Sequence, residues 1–226
     1  IRMNRPERLN AMGRELMEAL AEQWTLFHKD PDLEVAIFTG TGRGFCAGED
    51  MKESLEEGSP TDPETTLDDP FMSQELKKPV IAAINGYAMG GGFMLVERTD
   101  LRVASSNAIF EVSEAKRWLL GGYNHGKIAN LPYPIAMEMA LGFRFTAQRF
   151  YELGFLNRVV EPQKLIPTAL EMGEHLLTLP PAARVNTVHM MRQIRPNTTK
   201  QQDLLADALH QHCLLYTSDA ADDLWC

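Results

Sequence analysis

Two continuous apolar runs dominate the first half of the chain, Val35-Ala36-Ile37-Phe38-Thr39 and Val80-Ile81-Ala82-Ala83-Ile84. Neither alternates polar with apolar, so each reads as a strand covered on both faces, as in a parallel sheet. Ahead of them, Met12, Leu16, Leu20, Trp24 and Phe27 recur at helical spacing, with Asn10 placed to cap the helix and Asp30-Pro31 to end it. Leu101-Arg102-Val103-Ala104 and Ala108-Ile109-Phe110 predict further short strands, and from Pro132 the pattern is helical to the end. Glu56 to Pro70 carries acidic residues, prolines and threonines without a period and reads as a mobile surface loop. Together these elements predict a mixed α/β body with a helical C-terminal layer.

Each apolar strand is followed by a glycine-bearing turn. Phe45-Cys46-Ala47-Gly48-Glu49-Asp50 follows the first, and Asn85-Gly86-Tyr87-Ala88-Met89-Gly90-Gly91-Gly92 follows the second, opening the helical stretch Phe93-Met94-Leu95-Val96. Three glycines at a helix start allow close backbone approach and leave the first N–H groups unpaired, where negative charge is favoured. If one N–H from each turn converges, the pair grips a carbonyl oxygen more tightly as it becomes an enolate or tetrahedral oxyanion. One such donor is worth roughly 10²–10³ in rate. Phe110-Glu111-Val112-Ser113-Glu114 adds a carboxylate downstream. Taken singly, a triple glycine is also a strand-to-helix packing joint, and Ala-Gly-Glu-Asp is also a capped turn.

With 226 residues and 44% hydrophobic content, the chain can bury one sizeable core, and no linker or internal repeat divides it. No apolar stretch approaches the roughly 20 residues of a bilayer span, and no charged-then-apolar leader precedes the first helix. The expectation is a soluble, cytoplasmic-type protein without a membrane partner. Cys46, Cys213 and Cys226 lack metal-ligand spacing, so neither a disulfide framework nor a metal site is expected, and Cys46 reads as a small buried residue. The net charge of −9 argues against a nucleic-acid surface and leaves room only for a local basic pocket that takes a phosphorylated group.

The ordered set Phe-Cys-Ala-Gly-x-Asp, Asn-Gly-x-Ala-x-Gly-Gly-Gly and Phe-x-x-Ser-Glu resembles the crotonase family, the enoyl-CoA hydratase/isomerase superfamily. Asn4-Arg5-Pro6-Glu7-Arg8-Leu9-Asn10-Ala11 near the start, and Ala147-Gln148-Arg149 through Leu153-Gly154-Phe155-Leu156-Asn157-Arg158-Val159-Val160 later, extend the resemblance from Met3 to about His212. It implies a ClpP/crotonase-like α/β fold, a spiral of repeated β-β-α units with a helical C-terminal layer, over residues 1–215. It also implies a homotrimer or hexamer built by the trailing helices, and further N-terminal strand and C-terminal helix than the chain holds. Residues 216–226, from Tyr216-Thr217-Ser218-Asp219, continue no periodicity and read as a non-native adapter-like tail or an ordinary acidic one. The implied activity acts on acyl-CoA or enoyl-CoA thioesters, with coenzyme A part of the substrate and no bound cofactor or metal.

Carried over residue by residue, the oxyanion donors are the backbone N–H groups of Glu49 and Gly91. Asp50, Met51 and Lys52 match the thioester and pantetheine path, Arg8, Leu9 and Ala11 the adenosine end, and Ala47, Gly90, Met94 and Ser113 stand among the substrate-binding positions. For Asp50 a turn-stabilising role is equally open, and Arg8 and Lys52 are also readable as solvated charges. Glu114 is the implied proton-transfer residue, the alternative being a cap or a pair with Lys116 or Arg117. Two-glutamate hydratases of the family carry their first carboxylate where this chain has Met94, and a thioether neither accepts a proton nor orients water. Double-bond isomerisation by Glu114 alone is therefore favoured over hydration. Hydration or lyase chemistry with a non-standard water-binding group, thioester hydrolysis and a non-catalytic CoA-ester-binding scaffold stay open.

Glu97, one turn beyond Met94, is a lesser substitute for the missing carboxylate, otherwise paired with Arg98 or solvent. Eight positions after Glu114, where dienoyl-CoA isomerases carry a second acid, stands Gly122, which disfavours that activity. Tyr123, Asn124 and His125 are unusual polar neighbours for an acyl pocket, and either one of them takes over the water-binding role or all three hold an irregular loop. Phe71, Met72, Trp118 and Phe143 either shape a pocket or pack in the core or an interface.

Overall fold

A computed structural model of the chain describes residues 1–57, 68–117 and 119–220. The elements run β1 (Arg2–Met3), α1 (Arg14–Lys29), β2 (Ala36–Gly40), β3 (Gly44–Cys46), α2 (Met51–Glu57), β4 (Val80–Ile84), β5 (Tyr87–Met89), α3 (Gly91–Glu97), β6 (Leu101–Ser105), β7 (Ile109–Glu111), α4 (His125–Ile128), α5 (Tyr133–Ala140), β8 (Phe145–Thr146), α6 (Ala147–Glu152), β9 (Arg158–Val160), α7 (Leu165–Leu177), α8 (Pro181–Gln193) and α9 (Lys200–Ala220). The chain forms two compact units. The first holds Ile1–Phe110 with Phe145–Ile194; the second holds Glu111–Arg144 with the chain from Arg195 onward.

In the first unit, a parallel sheet has the strand order β1-β2-β4-β6-β9, and a second sheet has the order β3-β5-β7-β8. Successive β-β-α repeats send their first strand to one sheet and their second to the other, the spiral expected from the motifs. All five residues of β4 are fully buried, which is why its apolar run has no polar interruptions. On one face α7 lays Leu165, Ala169 and Met172 against Ile81, Ala83 and Val103. Elsewhere Trp24 of α1 stacks on Phe71 with ring centroids 4.4 Å apart and meets Phe38 edge-on at 5.1 Å. A further aromatic cluster, Phe93, Phe110, Phe145, Phe150 and Phe155, ties α3 to β7, β8 and α6. Each fully buried phenylalanine of this kind contributes about 1.5–3 kcal/mol.

Several expectations need correction. Asn10 caps no helix: it sits at φ +56, accepts from Arg5 N at 2.9 Å, and donates to Thr41 O at 3.0 Å and Gly44 O at 2.8 Å, while Gly13 precedes α1. The stretch after Pro132 is not wholly helical, because β8 and β9 interrupt it; β9 completes the parallel sheet beside β6. Of the loop expected over Glu56 to Pro70, Glu56 belongs to α2, and Asp69 and Pro70 are buried, with Asp69 Oδ1 accepting from Phe71 N at 2.8 Å. Residues 58–67 lie outside the described residues, as does Trp118. Phe71 is core, Met72 is half-buried, and Phe143 is exposed. The helical periodicity expected to stop at Tyr216 continues as backbone helix to Ala220, since an established helix propagates cheaply through compatible residues. The rest of that tail is outside the described residues.

In the second unit, a 3₁₀ turn over Glu114–Arg117 leads toward α4 and α5. Glu111, buried at its start, accepts from Arg144 Nε at 2.6 Å and lies 3.2 Å from Lys116 Nζ. Burial pushes the Glu111 carboxyl up, but these two cations outweigh it and hold the group below its ordinary value.

Candidate active site

The two glycine-bearing turns meet inside the first unit. β3 and β5 pair in parallel, with Gly44 opposite Tyr87 and Cys46 opposite Ala88, so both chains leave the sheet side by side. Asn85 fixes the entry to β3: its Oδ1 accepts from Gly40 N at 3.1 Å, and its Nδ2 donates to Gly42 O and Gly44 O, each at 2.9 Å. Beyond β3, Ala47 N donates to Leu9 O at 3.0 Å, Met12 N to Gly48 O at 2.7 Å, and Asp50 N to Met12 O at 3.0 Å. In this parallel bridge Met12 uses the groups on either side of Glu49, and strand alternation turns the Glu49 N–H to the opposite side.

Gly48 is held at φ +90, and a Cβ built there stands 3.4 Å from Gly91 N and 2.8 Å from Met89 O. Gly90, at φ +50, immediately precedes α3, and its carbonyl accepts from Phe93 N at 2.9 Å and Met94 N at 3.2 Å. The N–H of Gly91, first residue of that helix, has no acceptor within it. The Gly48 turn, which carries Glu49, thus lies close to the start of α3 at Gly91, and the Met12 side chain packs against Gly91 beside it.

Around this turn lies a charged cluster. Arg8 donates to Asp50 through Nε at 3.2 Å and Nη2 at 2.6 Å, and Arg5 Nη1 lies 2.9 Å from the same carboxylate. Glu53 accepts from Arg14 N at 2.6 Å and stands 3.4 Å from Arg5 Nη2. The Arg8 hydrogen bonds pull the Asp50 carboxyl down to about 2, and Asp50 caps the first turn of α2. Asp50 thus makes turn-stabilising contacts, and Arg8 is paired with it. Met51 and Lys52 are exposed on α2, Ala11 is buried, and Leu9 is half-buried at φ +51. Met94 is half-buried, whereas Glu97 is 1% exposed, which removes the solvent-facing reading.

In the second unit, Glu114, Tyr123, Asn124 and His125 line one cavity of about 250 Å³, joined by Asp207 and His210 from α9. Glu114 Oε1 stands 4.0 Å from His125 Nε2, and Glu114 Oε2 is buried with no hydrogen-bond partner among the described residues. Tyr123 Oη donates to Asp203 Oδ1 at 3.1 Å; burial, then that hydrogen bond, raises its pKa. Ser113 is half-buried and its carbonyl accepts from Lys116 N at 3.0 Å. Sequence reasoning placed Glu114 and the Tyr123-Asn124-His125 group separately, and the fold brings them to one cavity. It missed Asp207 and His210, whose only signal was their three-residue spacing on one helical face.

The family described as enoyl-CoA hydratase/isomerase matches the chain over residues 1–218. The chain belongs to the enoyl-CoA hydratase/isomerase family. Among curated proteins it is 34% identical to the (E)-benzylidenesuccinyl-CoA hydratase of Thauera aromatica, over 96% of this chain and 83% of that protein. It is 37% identical to the carnitinyl-CoA dehydratase of Proteus mirabilis, over 80% of this chain and 71% of that one. Among solved structures it is similar to the enoyl-CoA hydratase EchA1 from Mycobacterium marinum, with a TM-score of 0.77, 31% identity, and coverage of 98% of this chain and 88% of that one. Enzymes of this family act on CoA thioesters, with coenzyme A as part of the substrate. Among the described residues no cluster of three or more potential metal-binding side chains occurs, and no helix is long and apolar enough to cross a membrane.

Proposed function

We propose that this chain reversibly adds water to a 2-enoyl-CoA thioester. The N–H groups of Glu49 and Gly91 hold the thioester oxygen as the α,β double bond becomes an enolate, and Glu114 moves the proton at the α-carbon. The carrying observation is the cavity at Glu114, whose buried carboxylate oxygen has no hydrogen-bond partner among the described residues and which Tyr123, Asn124 and His125 also line, so that a water molecule finds hydrogen-bonding partners there. Relatives named as hydratases and dehydratases support the direction. Arg8, Leu9, Ala11, Ala47, Met51 and Lys52 are proposed for the coenzyme, with Arg8 keeping its Asp50 pair. Action as a homotrimer or hexamer belongs to the same proposal, supported by exposed Leu204, Leu205 and Leu209 on α9, and light scattering tests it.

The half-buried thioether of Met94 favours a second reading, double-bond isomerisation by Glu114 alone. Incubation with 2-enoyl-CoA and 3-enoyl-CoA separates the two. Hydration consumes the 2-enoyl ester with a gain of water, whereas isomerisation interconverts the two esters at constant mass. Under either reading Glu114→Gln lowers turnover by about 10²–10⁴ while CoA-ester binding persists. Undiminished turnover removes Glu114 from the chemistry.

A further inference from the structure

We propose that His125 is the second proton-transfer group, replacing the carboxylate that Met94 does not supply. The inference rests on the hydration reading. His125 begins α4 and is buried, with Nε2 4.0 Å from Glu114 Oε1, a separation that one water molecule or a small side-chain movement bridges. Gly122 makes the arrangement possible. A Cβ built there collides with His125 Cδ2, lies 3.2 Å from Nε2, and stands 2.5 Å from Val112 Cγ1, so the imidazole occupies the space a side chain at 122 would fill. The position that lacks an acid is thus the position that admits the histidine.

The pair needs one shared proton. In hydration, His125 Nε2 takes a proton from water as the water oxygen bonds to C3. The C2=C3 electron pair moves to form the enolate, and the carboxylic acid of Glu114 protonates C2 as the enolate collapses. Imidazolium then returns its proton to the Glu114 carboxylate, restoring the starting state with one water added. Dehydration runs the same steps backward, with Glu114 removing the α-proton and imidazolium protonating the departing hydroxide. Other titratable groups lining the cavity are Tyr123 and, from α9, Asp207 and His210.

The test compares the full chain with His125→Gln, Gly122→Ala and His210→Gln, each checked for folding by circular dichroism. Two rates are measured: hydration of a 2-enoyl-CoA, and deuterium uptake at the α-carbon of the 3-hydroxyacyl-CoA in D₂O. Hydration falls about 10²–10⁴-fold in His125→Gln and in Gly122→Ala, while deuterium uptake stays within about tenfold of wild type. The wild-type pH profile of kcat for hydration is bell-shaped; both limbs survive His210→Gln, whereas His125→Gln loses the acidic limb, which reports protonation of the base. The wild-type profile stands even if a variant fails to fold, and a profile with no acidic limb overturns the inference. Hydration within tenfold of wild type in a folded His125→Gln overturns it and leaves the hydration reading standing; parallel loss of both rates overturns it in favour of a structural role. A wild-type chain that adds no water to 2-enoyl-CoA overturns the hydration reading and this inference with it.

Discussion

Gly48→Ala tests the joint between the two turns, and Gly154→Ala is its control. Gly48 sits at φ +90 and Gly154 at φ +78, where an L side chain costs roughly 1–2 kcal/mol. The two differ in surroundings. A methyl at Gly154 meets nothing within 4 Å, whereas one at Gly48 presses on Met89 O at 2.8 Å and Gly91 N at 3.4 Å. Met89 O is backbone and cannot rotate aside, so crowding adds about 1–3 kcal/mol at Gly48 alone. We expect losses of about 3 kcal/mol for Gly48→Ala and about 1 kcal/mol for Gly154→Ala, which convert to Tm falls of about 9 °C and about 3 °C for a chain of this size. Only the first variant displaces Gly91 N relative to Glu49 N, so only its kcat/KM drops, by roughly 10²–10³. Circular dichroism melts and a continuous enoyl-CoA assay give both numbers. Equal Tm losses, or wild-type turnover in a folded Gly48→Ala, refute the reasoning.

Arg8→Gln raises the pKa of Asp50 from about 2 toward its ordinary value near 3.8. Because the folded-state value is depressed, the pair contributes stability above about pH 4 and loses it as pH falls toward 2, so the variant's acid-unfolding midpoint moves upward, by less than about one pH unit because Arg8 is solvent-screened. Trp24→Ala removes a fully buried ring stacked on Phe71 and costs about 3–5 kcal/mol in urea denaturation. The Cys46 thiol, pushed up to about 12 by burial, alkylates at pH 8 at least about 10³-fold more slowly in the folded chain than in denaturant, as mass spectrometry of the labelled peptide reads.

β2 and β4 were legible because strands covered on both faces are apolar nearly throughout, and the turns after β3 and β5 were legible because close backbone contact demands glycine. β8 and β9 were not legible, since two or three residues carry too little periodicity to register. Their pairing is decided by neighbours distant in sequence, Phe145 by Phe110 and Val159 by Ala104. Asn10 misled for a related reason: its residue type suits a cap, but its side chain was needed to hold the carbonyl at Gly44. At the candidate site, Glu114 and His125 were readable as residue types and their 4.0 Å approach was not, because it depends on the empty side-chain space at Gly122. Asp207 and His210 arrive from a helix more than eighty residues away in sequence, a closure local pattern does not encode.

Hydration at Glu114 is decided by incubating the full chain and Glu114→Gln with a 2-enoyl-CoA in heavy-oxygen water and weighing the product. Wild type forms a 3-hydroxyacyl-CoA carrying the heavy oxygen, and Glu114→Gln forms about 10²–10⁴-fold less. A product of unchanged mass with a migrated double bond, or heavy-oxygen uptake undiminished in Glu114→Gln, contradicts it.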